Sequence, residues 1–176
     1  MNQYADGRYT YMLSEEDVLH RQQRNIQPLA AVNLLDFSRH TIPLQKVLAS
    51  ADANIIVLDF WASWCVPCAA DYPFLKKAED ALKNKSIRFI SISIDVEEDT
   101  GKWVNRTRQQ NTFGKPGQYR LENPKQSPVN GFFKLQSIPR YIVLDKTGNI
   151  LEEDFDRPKE AAFQRKLEMY VSRYQQ

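Results

Sequence analysis

Two cysteines are the residues of this sequence whose spacing most directly suggests chemistry. Cys65 and Cys68 are the only cysteines in the chain, and two residues separate them. Two thiols this close cannot cross-link distant parts of a fold, and two are too few for a disulfide scaffold. A structural zinc site would need two further ligands, and the only histidines, His20 and His40, lie far upstream and are not spaced as a pair. An inert thiol pair stays open, but a reactive dithiol without a bound metal is the leading interpretation.

The order of the two cysteines suggests different roles for them. A strand pattern passes into a helix pattern at Trp64, which places Cys65 at the N-terminus of the helix. Unpaired backbone N–H groups and the helix dipole favour a thiolate at that position. We therefore expect Cys65 to be the more exposed, attacking sulfur and Cys68, one turn further along, to be the resolving thiol.

Asp59 is a third candidate for the reaction, because it interrupts an otherwise apolar strand pattern. A carboxyl group in such a strand is costly unless it is paired, hydrogen-bonded or protonated. As a functional residue it would accept the proton of Cys68, directly or through a water. The alternative is an aspartate at the end of the strand that faces solvent or caps a turn.

The composition allows one folded domain and gives little information about partners. The chain has 176 residues, 42% of them hydrophobic, and a formal net charge of +2. This small charge gives no reason to expect nucleic acid or an anionic membrane surface as a partner. The most apolar stretch, residues 53–70, contains Asn54, Asp59 and Pro67, so it does not predict a membrane-spanning helix. The first residues lack the order of charges and apolar residues typical of a secretory signal.

A strand, a helix and a second strand are predicted around the cysteines. Residues 54–61 form a continuous run typical of a strand buried on both faces, and residues 66–84 have helical periodicity, with Pro73 expected to kink the helix. Residues 86–95 alternate as a second strand, which should be parallel to the first. These three elements would form one βαβ unit.

The rest of the chain gives weaker signals. The strands predicted in its second half form an antiparallel hairpin. We expect an N-terminal extension at residues 1–28 with a short helix from Ser14, and a domain at residues 29–176. Within that domain the patterns predict an edge strand in 29–37, a helix at 43–49, a helix that begins at Asp99 or Thr100 and runs through Trp103 to Thr107, a connection at 111–128 with a strand at 118–121, a hairpin of 140–145 and 150–155, and a helix from about Pro158. The acidic residues 95–99 are expected to be a solvated helix start.

The active-site segment resembles that of a known family. The sequence DFWASWCVPC is similar to the active-site segment of thioredoxin-like proteins, and Pro73 matches the position of their helix kink. Downstream, Ser137-Ile138-Pro139 resembles their cis-proline loop. The resemblance covers about residues 29–174 and implies an α/β thioredoxin-like fold with a central mixed sheet flanked by helices. The N-terminal extension and an insertion before the cis-proline loop are similar to the TlpA/ResA branch.

This resemblance implies a thiol-disulfide oxidoreductase that reduces protein disulfides without a cofactor. It implies an upstream dithiol donor, a periplasmic or other extracytoplasmic location, and room for a membrane tether in a segment outside this sequence. It also implies a cis bond before Pro139 that shapes a substrate-docking edge, although an ordinary trans-proline at a strand start is the alternative. The residues expected to contact substrate are Trp64, Val66, Pro67, Ile138, Pro139 and Arg140.

Two positions depart from the family pattern, and other functions stay open. Ser91 stands where cytosolic thioredoxins carry a buried lysine, so no ammonium is expected beside Asp59. Arg140 stands where the family often has threonine, and its cation could support a thiolate or simply be solvated. A thiol peroxidase and a non-catalytic binding module are the main alternatives. A related copper-handling protein is less consistent, because no histidine follows Cys68.

Overall fold

The computed structural model describes residues 24–174 of the chain. The seven strands are β1 (Asn33–Leu35), β2 (Thr41–Pro43), β3 (Ile55–Trp61), β4 (Ile87–Ser93), β5 (Gln118–Leu121), β6 (Arg140–Asp145) and β7 (Ile150–Glu152). The α-helices in the described part are α1 (Leu44–Ala49), α2 (Val66–Leu82), α3 (Thr100–Gln109), α4 (Pro128–Phe132) and α5 (Ala161–Arg173).

All seven strands form one mixed sheet in the order β2-β1-β5-β4-β3-β6-β7. Strand β3 is parallel to β4 and antiparallel to β6, as the βαβ unit and the antiparallel second half predicted. Every residue of β3 is buried, which agrees with its continuous run of β-branched and aromatic side chains. The strand that leads to the cysteines is therefore held on both edges and covered on both faces.

Alternate residues of β3 enter two different hydrophobic cores. Ile56, Leu58 and Phe60 join the core that includes α1, whereas Ile55 and Val57 join the core that includes α2 and α5. This is the period of two expected of a strand, and it places the side chain of Asp59 on the α2 side of the sheet. Helix α2 contributes Leu75, Ala78 and Leu82 to the same core.

The first half of the fold differs from the prediction at one edge. Strand β1 was predicted to be an edge strand, but it lies between β2 and β5, and β2 forms the edge. The reversal between β1 and β2 is stabilised by Asp36, whose carboxylate accepts backbone N–H bonds from Ser38 and His40, both at 2.8 Å. Arg39 occupies the turn with a φ of 65°. This turn was not recognised in the sequence.

The second half of the chain contains a helix that was not predicted. Its second hairpin strand is shorter than predicted. Helix α4 lies inside the connection before β6, and Ser127 caps it by accepting a bond from the backbone N–H of Val129. A serine followed by a proline at the first helical position is a signal that could have located it. The hairpin strand β7 ends at Glu152, and its pairing with β6 shifts register between Val143 and Leu144.

The predicted division at Leu29 stays a prediction, and the helix predicted from Ser14 lies outside the described residues. Within the described part, Ile26 is buried in the α1 core and its N–H donates to the carbonyl of Gly148 at 2.9 Å. Contacts with the sheet therefore begin before Leu29. Between residues 24 and 174, none of the helices combines the length and the apolarity needed to span a membrane.

Candidate active site

The two cysteines form a disulfide at the N-terminus of α2. Cys65 is the N-cap residue, and the backbone N–H of Cys68 donates to its Sγ over 3.2 Å. The loop before the helix is closed by a bond from the N–H of Cys65 to the carbonyl of Ala62 at 3.1 Å. The strand-to-helix arrangement predicted from the sequence is thus confirmed, and the positive end of the α2 dipole points at the Cys65 sulfur.

The expected difference in exposure between the cysteines is wrong for the disulfide form. As whole residues, Cys65 is 4% exposed and Cys68 is 7% exposed. Cys65 is covered because it packs, with Trp61 and Trp103, in a small cluster on which Ile138 also lies. The side chains next to the disulfide are the exposed ones.

The cis-proline loop lies against the disulfide. The Ile138–Pro139 peptide bond is cis, as the resemblance implied, and the Ile138 carbonyl oxygen is 3.7 Å from the Sγ of Cys65. The two chain neighbours of Cys65 are exposed: Trp64 is 56% exposed and Val66 is 78% exposed. The structure therefore brings the residues before and after Cys65 and the loop before β6 to one surface.

Arg140, the first residue of β6, contacts the segment that follows β7. Its Nε lies 3.3 Å from a carboxylate oxygen of Asp154, and its Nη1 donates to the Glu153 carbonyl. A different arginine contacts the cysteine helix, since Arg157 donates to the Pro67 carbonyl at 3.3 Å and to the buried carboxylate of Asp71 at 2.7 Å. Sequence analysis did not single out Arg157, which holds the first turn of α2.

Asp59 is buried in the middle of the sheet, so the alternative of a solvated strand end is excluded. It pairs with Ser91 on β4 and Tyr141 on β6, and the Ser91 hydroxyl donates to Asp59 Oδ2 at 3.1 Å. Asp59 Oδ1 has no hydrogen-bond partner among the described residues. Burial raises the pKa of Asp59 to about 7, the Ser91 hydrogen bond opposes this rise, and the nearby carboxylates of Glu79 and Asp71 add to it.

A small cavity connects Asp59 with Cys68. Its volume is about 20 Å³, which is enough for one water molecule. Ser91, Gln118 and Glu79 also line it. The predicted proton transfer between Asp59 and Cys68 is thus geometrically reasonable, because both residues border the same polar space beneath the disulfide.

Asp95 was predicted to be part of a solvated acidic cluster, and this is wrong. Asp95 is fully buried, and its carboxylate accepts bonds from the backbone N–H of Ser63 at 2.8 Å, the Ser63 hydroxyl at 2.6 Å and the Ser93 hydroxyl. Arg106 donates to the Ser63 carbonyl, although at 3.4 Å. These contacts fix the loop two residues before Cys65. The one sequence signal for this burial is that the alternating strand pattern of residues 86–95 extends as far as Asp95.

Comparison with known proteins places this geometry in a family. The family model described as Thioredoxin-like matches residues 52–150, which include both cysteines and the cis-proline. The chain belongs to the thioredoxin-like family.

Thioredoxin-like relatives carry names from thiol-disulfide chemistry. Thiol-disulfide oxidoreductase ResA of Bacillus cereus is 26% identical over 102 residues, which are 56% of this chain and 53% of that protein. The chain thus matches about half the length of such curated relatives. The structure of a thiol-disulfide oxidoreductase from Bacteroides fragilis superposes with a TM-score of 0.63 at 24% identity, over 78% of this chain and 94% of the other. A thioredoxin domain of a thiol-disulfide oxidoreductase from Bacteroides vulgatus gives a TM-score of 0.65 at 20% identity, over 81% and 97%.

The strand neighbour of Asp59 on β4 is a serine. Ser91, at the position where the resemblance indicated a lysine in cytosolic thioredoxins, pairs with Asp59 across the two strands. Glu79 of α2 is the other carboxylic acid that lines the cavity, and burial raises its pKa. In residues 24–174 there is also no group of three or more histidine, cysteine, aspartate or glutamate side chains placed to hold a metal ion.

Proposed function

We propose that this protein is a thiol-disulfide oxidoreductase that reduces disulfide bonds in other proteins. The observation that carries the proposal is the Cys65–Cys68 disulfide at a helix N-terminus, with a cis-proline loop in front of it and a buried carboxyl group beneath it. The names of the relatives support the same class of reaction. In this assignment Cys65 and Cys68 exchange electrons, and Asp59 exchanges a proton.

The reaction begins from the dithiol form. The Cys65 thiolate attacks one sulfur of a substrate disulfide, which forms a mixed disulfide and releases the first substrate thiolate. Cys68 then gives its proton to Asp59, directly or across the cavity, and attacks the Cys65 sulfur. This step releases the second substrate thiolate and leaves the disulfide described here. Two electrons have passed to the substrate, and the released thiolates take protons from solvent.

An upstream dithiol must return these electrons. One donor thiolate attacks the Cys65 sulfur, and Cys68 leaves as a thiolate that takes the proton of Asp59. The donor's second thiolate then attacks the donor sulfur of this mixed disulfide, which releases the Cys65 thiolate and leaves the donor as a disulfide. A carboxyl group with a pKa near 7 suits both directions, because it is partly ionised and partly protonated at neutral pH.

Substrate recognition is assigned to the surface around Cys65. Trp64, Val66 and Pro67 form one side of it, and Ile138 and Pro139 form the other. A substrate chain that passes between them would lie over the Cys65 sulfur. Arg140 stays in the proposed substrate-binding set at its edge, because breaking its contact with the exposed Asp154 would free the guanidinium.

The decisive experiment combines an assay of disulfide reduction with a measurement of the redox potential of the cysteine pair. The purified protein with a chemical dithiol should accelerate the reduction of insulin disulfides, and the Cys65→Ser variant should not. Titration of the Cys65/Cys68 pair in glutathione or dithiothreitol buffers should give a potential toward the reducing end of the range, which runs from about −270 mV to about −120 mV. A potential at the oxidising end would reject the reducing direction. Rapid turnover of hydrogen peroxide without insulin reduction would favour a thiol peroxidase instead.

The wider context belongs to the same proposal. Substrates would be proteins with disulfides, and the location would be periplasmic or otherwise extracytoplasmic, as the resemblance to the TlpA/ResA branch implies. Residues 29–176 would form the catalytic domain and residues 1–28 an extension. A membrane tether outside this sequence stays an expectation from the resemblance. Fractionation of cells that express the full-length protein, with immunodetection, tests the location.

A further inference from the structure

Two cavities on the inner side of α2 share lining residues. The first is the cavity of about 20 Å³ under Cys68, and the second, of about 220 Å³, opens between α2, β4 and the segment before β5. Glu79, Thr112 and Gln118 line both. The outer cavity is bordered by charged side chains with exposed ends, namely Lys76, Lys83, Arg88 and Lys115. The shared residues therefore form a junction between the space around Asp59 and solvent.

Glu79 is the one junction residue that can carry a proton near neutral pH, because Thr112 and Gln118 do not ionise there. The other titratable groups of the inner cavity besides Asp59 and Cys68 are tyrosines. The Tyr72 hydroxyl donates to the Gln110 carbonyl at 2.6 Å, and burial raises the pKa values of both Tyr72 and Tyr141. The side chain of Glu79 is 27% exposed, so it reaches solvent from a wall of the cavity.

The disulfide removes the other route for the proton of Asp59. In the dithiol form Cys68 can exchange a proton with Asp59 from the substrate side, but in the disulfide form its sulfur carries no hydrogen. Asp59 itself is only 6% exposed, and its Oδ1 has no partner in the described part of the chain. The inner cavity, which Asp59 lines, is the path that the described residues offer for a change in its protonation in the disulfide form.

We propose that Glu79 is a proton relay that connects Asp59 with solvent. The ionised Glu79 accepts the proton of Asp59 across the inner cavity, through the one water that the cavity can hold, and releases it to solvent. Protons return by the same steps in reverse. This inference rests on the proposed function for the use of Asp59, and it assigns to α2 a positioning residue that acts through Asp59.

The charges that face Glu79 are compatible with this role. Lys76 on the same helix lies 3.8 Å from its carboxylate, and Lys115 approaches from the segment before β5. Both lower the pKa of Glu79, whereas burial, the largest effect, and the neighbouring Asp80 raise it. Asp59 faces it from β3. The proton affinity of Glu79 is thereby brought closer to that of Asp59, which favours transfer between them.

The test measures proton exchange in the oxidised protein, where no turnover is needed. Carbon-13 NMR of the Asp59 carboxyl carbon gives its titration midpoint and, from exchange broadening near that midpoint, its rate of proton exchange. We compare wild type with Glu79→Gln, which removes the acid, and Glu79→Asp, which retains it. Asp80→Asn is the control for charge. It removes a carboxylate from the next position of α2, which lines neither cavity, and it leaves the acid at Glu79 in place although it lowers the pKa of that acid.

Glu79→Gln should slow Asp59 exchange by about tenfold or more, at the low end of what positioned proton-transfer groups contribute. Imidazole at constant ionic strength should restore the rate, and the titration midpoint should fall because a like charge is gone. Glu79→Asp and Asp80→Asn should keep fast exchange. Wild-type exchange in Glu79→Gln, or slow exchange in Asp80→Asn, would overturn the relay.

A failure of the relay and a failure of the proposed function give different results. If wild-type protein does not reduce insulin but Glu79→Gln slows Asp59 exchange, the relay stands and the proposed activity fails. If insulin is reduced and Glu79→Gln exchanges like wild type, the activity stands and the relay fails. Should Glu79→Gln not fold, the same comparison is made with Glu79→Ala, which also removes the acid. Slow Asp59 exchange that imidazole restores would support the relay, and exchange at the wild-type rate would reject it.

Discussion

Replacing Asp59 with asparagine should stabilise the folded protein at alkaline pH. The change keeps the size of the side chain and an oxygen that can accept the hydrogen bond from Ser91, but it removes the carboxylate. Asp59 is buried without a cationic partner among the described residues. Its ionised form is therefore less stable in the folded protein than in water. The effect should therefore depend on pH.

The sign and size follow from the pKa of Asp59. This pKa rises from 3.8 to about 7 on folding, so between these values the native state binds more protons than the unfolded state. The contribution of Asp59 to stability is fully present below pH 3.8 and is lost as the pH rises through 7. A shift of about three units corresponds to about 4 kcal/mol. That is a large part of the free energy of unfolding of an ordinary domain, about 5–15 kcal/mol.

Urea unfolding of the oxidised proteins between pH 4 and pH 9 measures this effect. Asp59→Asn and wild type should have nearly equal stability at pH 4 and differ by about 4 kcal/mol at pH 9, which would raise the melting temperature by about 8–16 °C. Asp80→Asn, at an exposed position, should show no such dependence. A constant difference between Asp59→Asn and wild type over this range would refute the assignment of the raised pKa to Asp59.

The same substitution should impair the reaction while it stabilises the fold. Without a carboxylate under Cys68, the resolving thiol has no proton acceptor, so the mixed disulfide should accumulate in stopped-flow exchange with a disulfide substrate. Attack by Cys65 should change little. An unchanged release rate above and below neutral pH would restrict Asp59 to a structural role. Stability and activity would thus be opposed at this residue.

Other predictions concern the cysteines, the cis-proline loop and Asp95. Cys65→Ser should abolish exchange, whereas Cys68→Ser should trap substrate as a mixed disulfide visible by mass spectrometry, and the reverse pattern would exchange their roles. Pro139→Ala should raise KM for insulin more than it slows iodoacetamide labelling of Cys65, and equal losses would contradict this division. Asp95→Asn should lower the free energy of unfolding in urea by about 2 kcal/mol, because its charge strengthens three buried hydrogen bonds, whereas Glu98→Gln at an exposed position should have little effect.

The elements around the cysteines could be predicted because their side chains repeat with a clear period. Strand β3 is apolar without interruption except at Asp59, and the apolar side chains of α2 recur at helical spacing. A period of this kind depends only on neighbours in the chain. The cis bond before Pro139 could not be found this way, and only the resemblance of the motif indicated it. The position of β1 inside the sheet depends on which strands meet, and local pattern does not contain that information.

The roles of Asp95 and Glu79 were missed for a related reason. Asp95 begins an acidic run that is typical of a solvated helix start. In the fold, Ser63 and Ser93 supply hydroxyl and backbone donors that offset the cost of removing its carboxylate from water. One of these donors is 32 residues away along the chain. Glu79 lies on an amphipathic helix among charged neighbours, and nothing in its spacing distinguishes it from Asp80. Both assignments needed three-dimensional distances.

The surroundings of Asp59 explain how a buried carboxyl group can serve in both directions of the reaction without an ammonium beside it. A cation would stabilise the carboxylate and lower its pKa, and Asp59 would then accept the proton of Cys68 less readily. Here the Ser91 hydroxyl gives one hydrogen bond, and Glu79 places a second negative charge at the same cavity. Two acids that share a cavity titrate as a coupled pair, so protonation of one raises the acidity of the other. The state of Glu79, which solvent reaches, would thereby set how readily Asp59 takes the proton of Cys68.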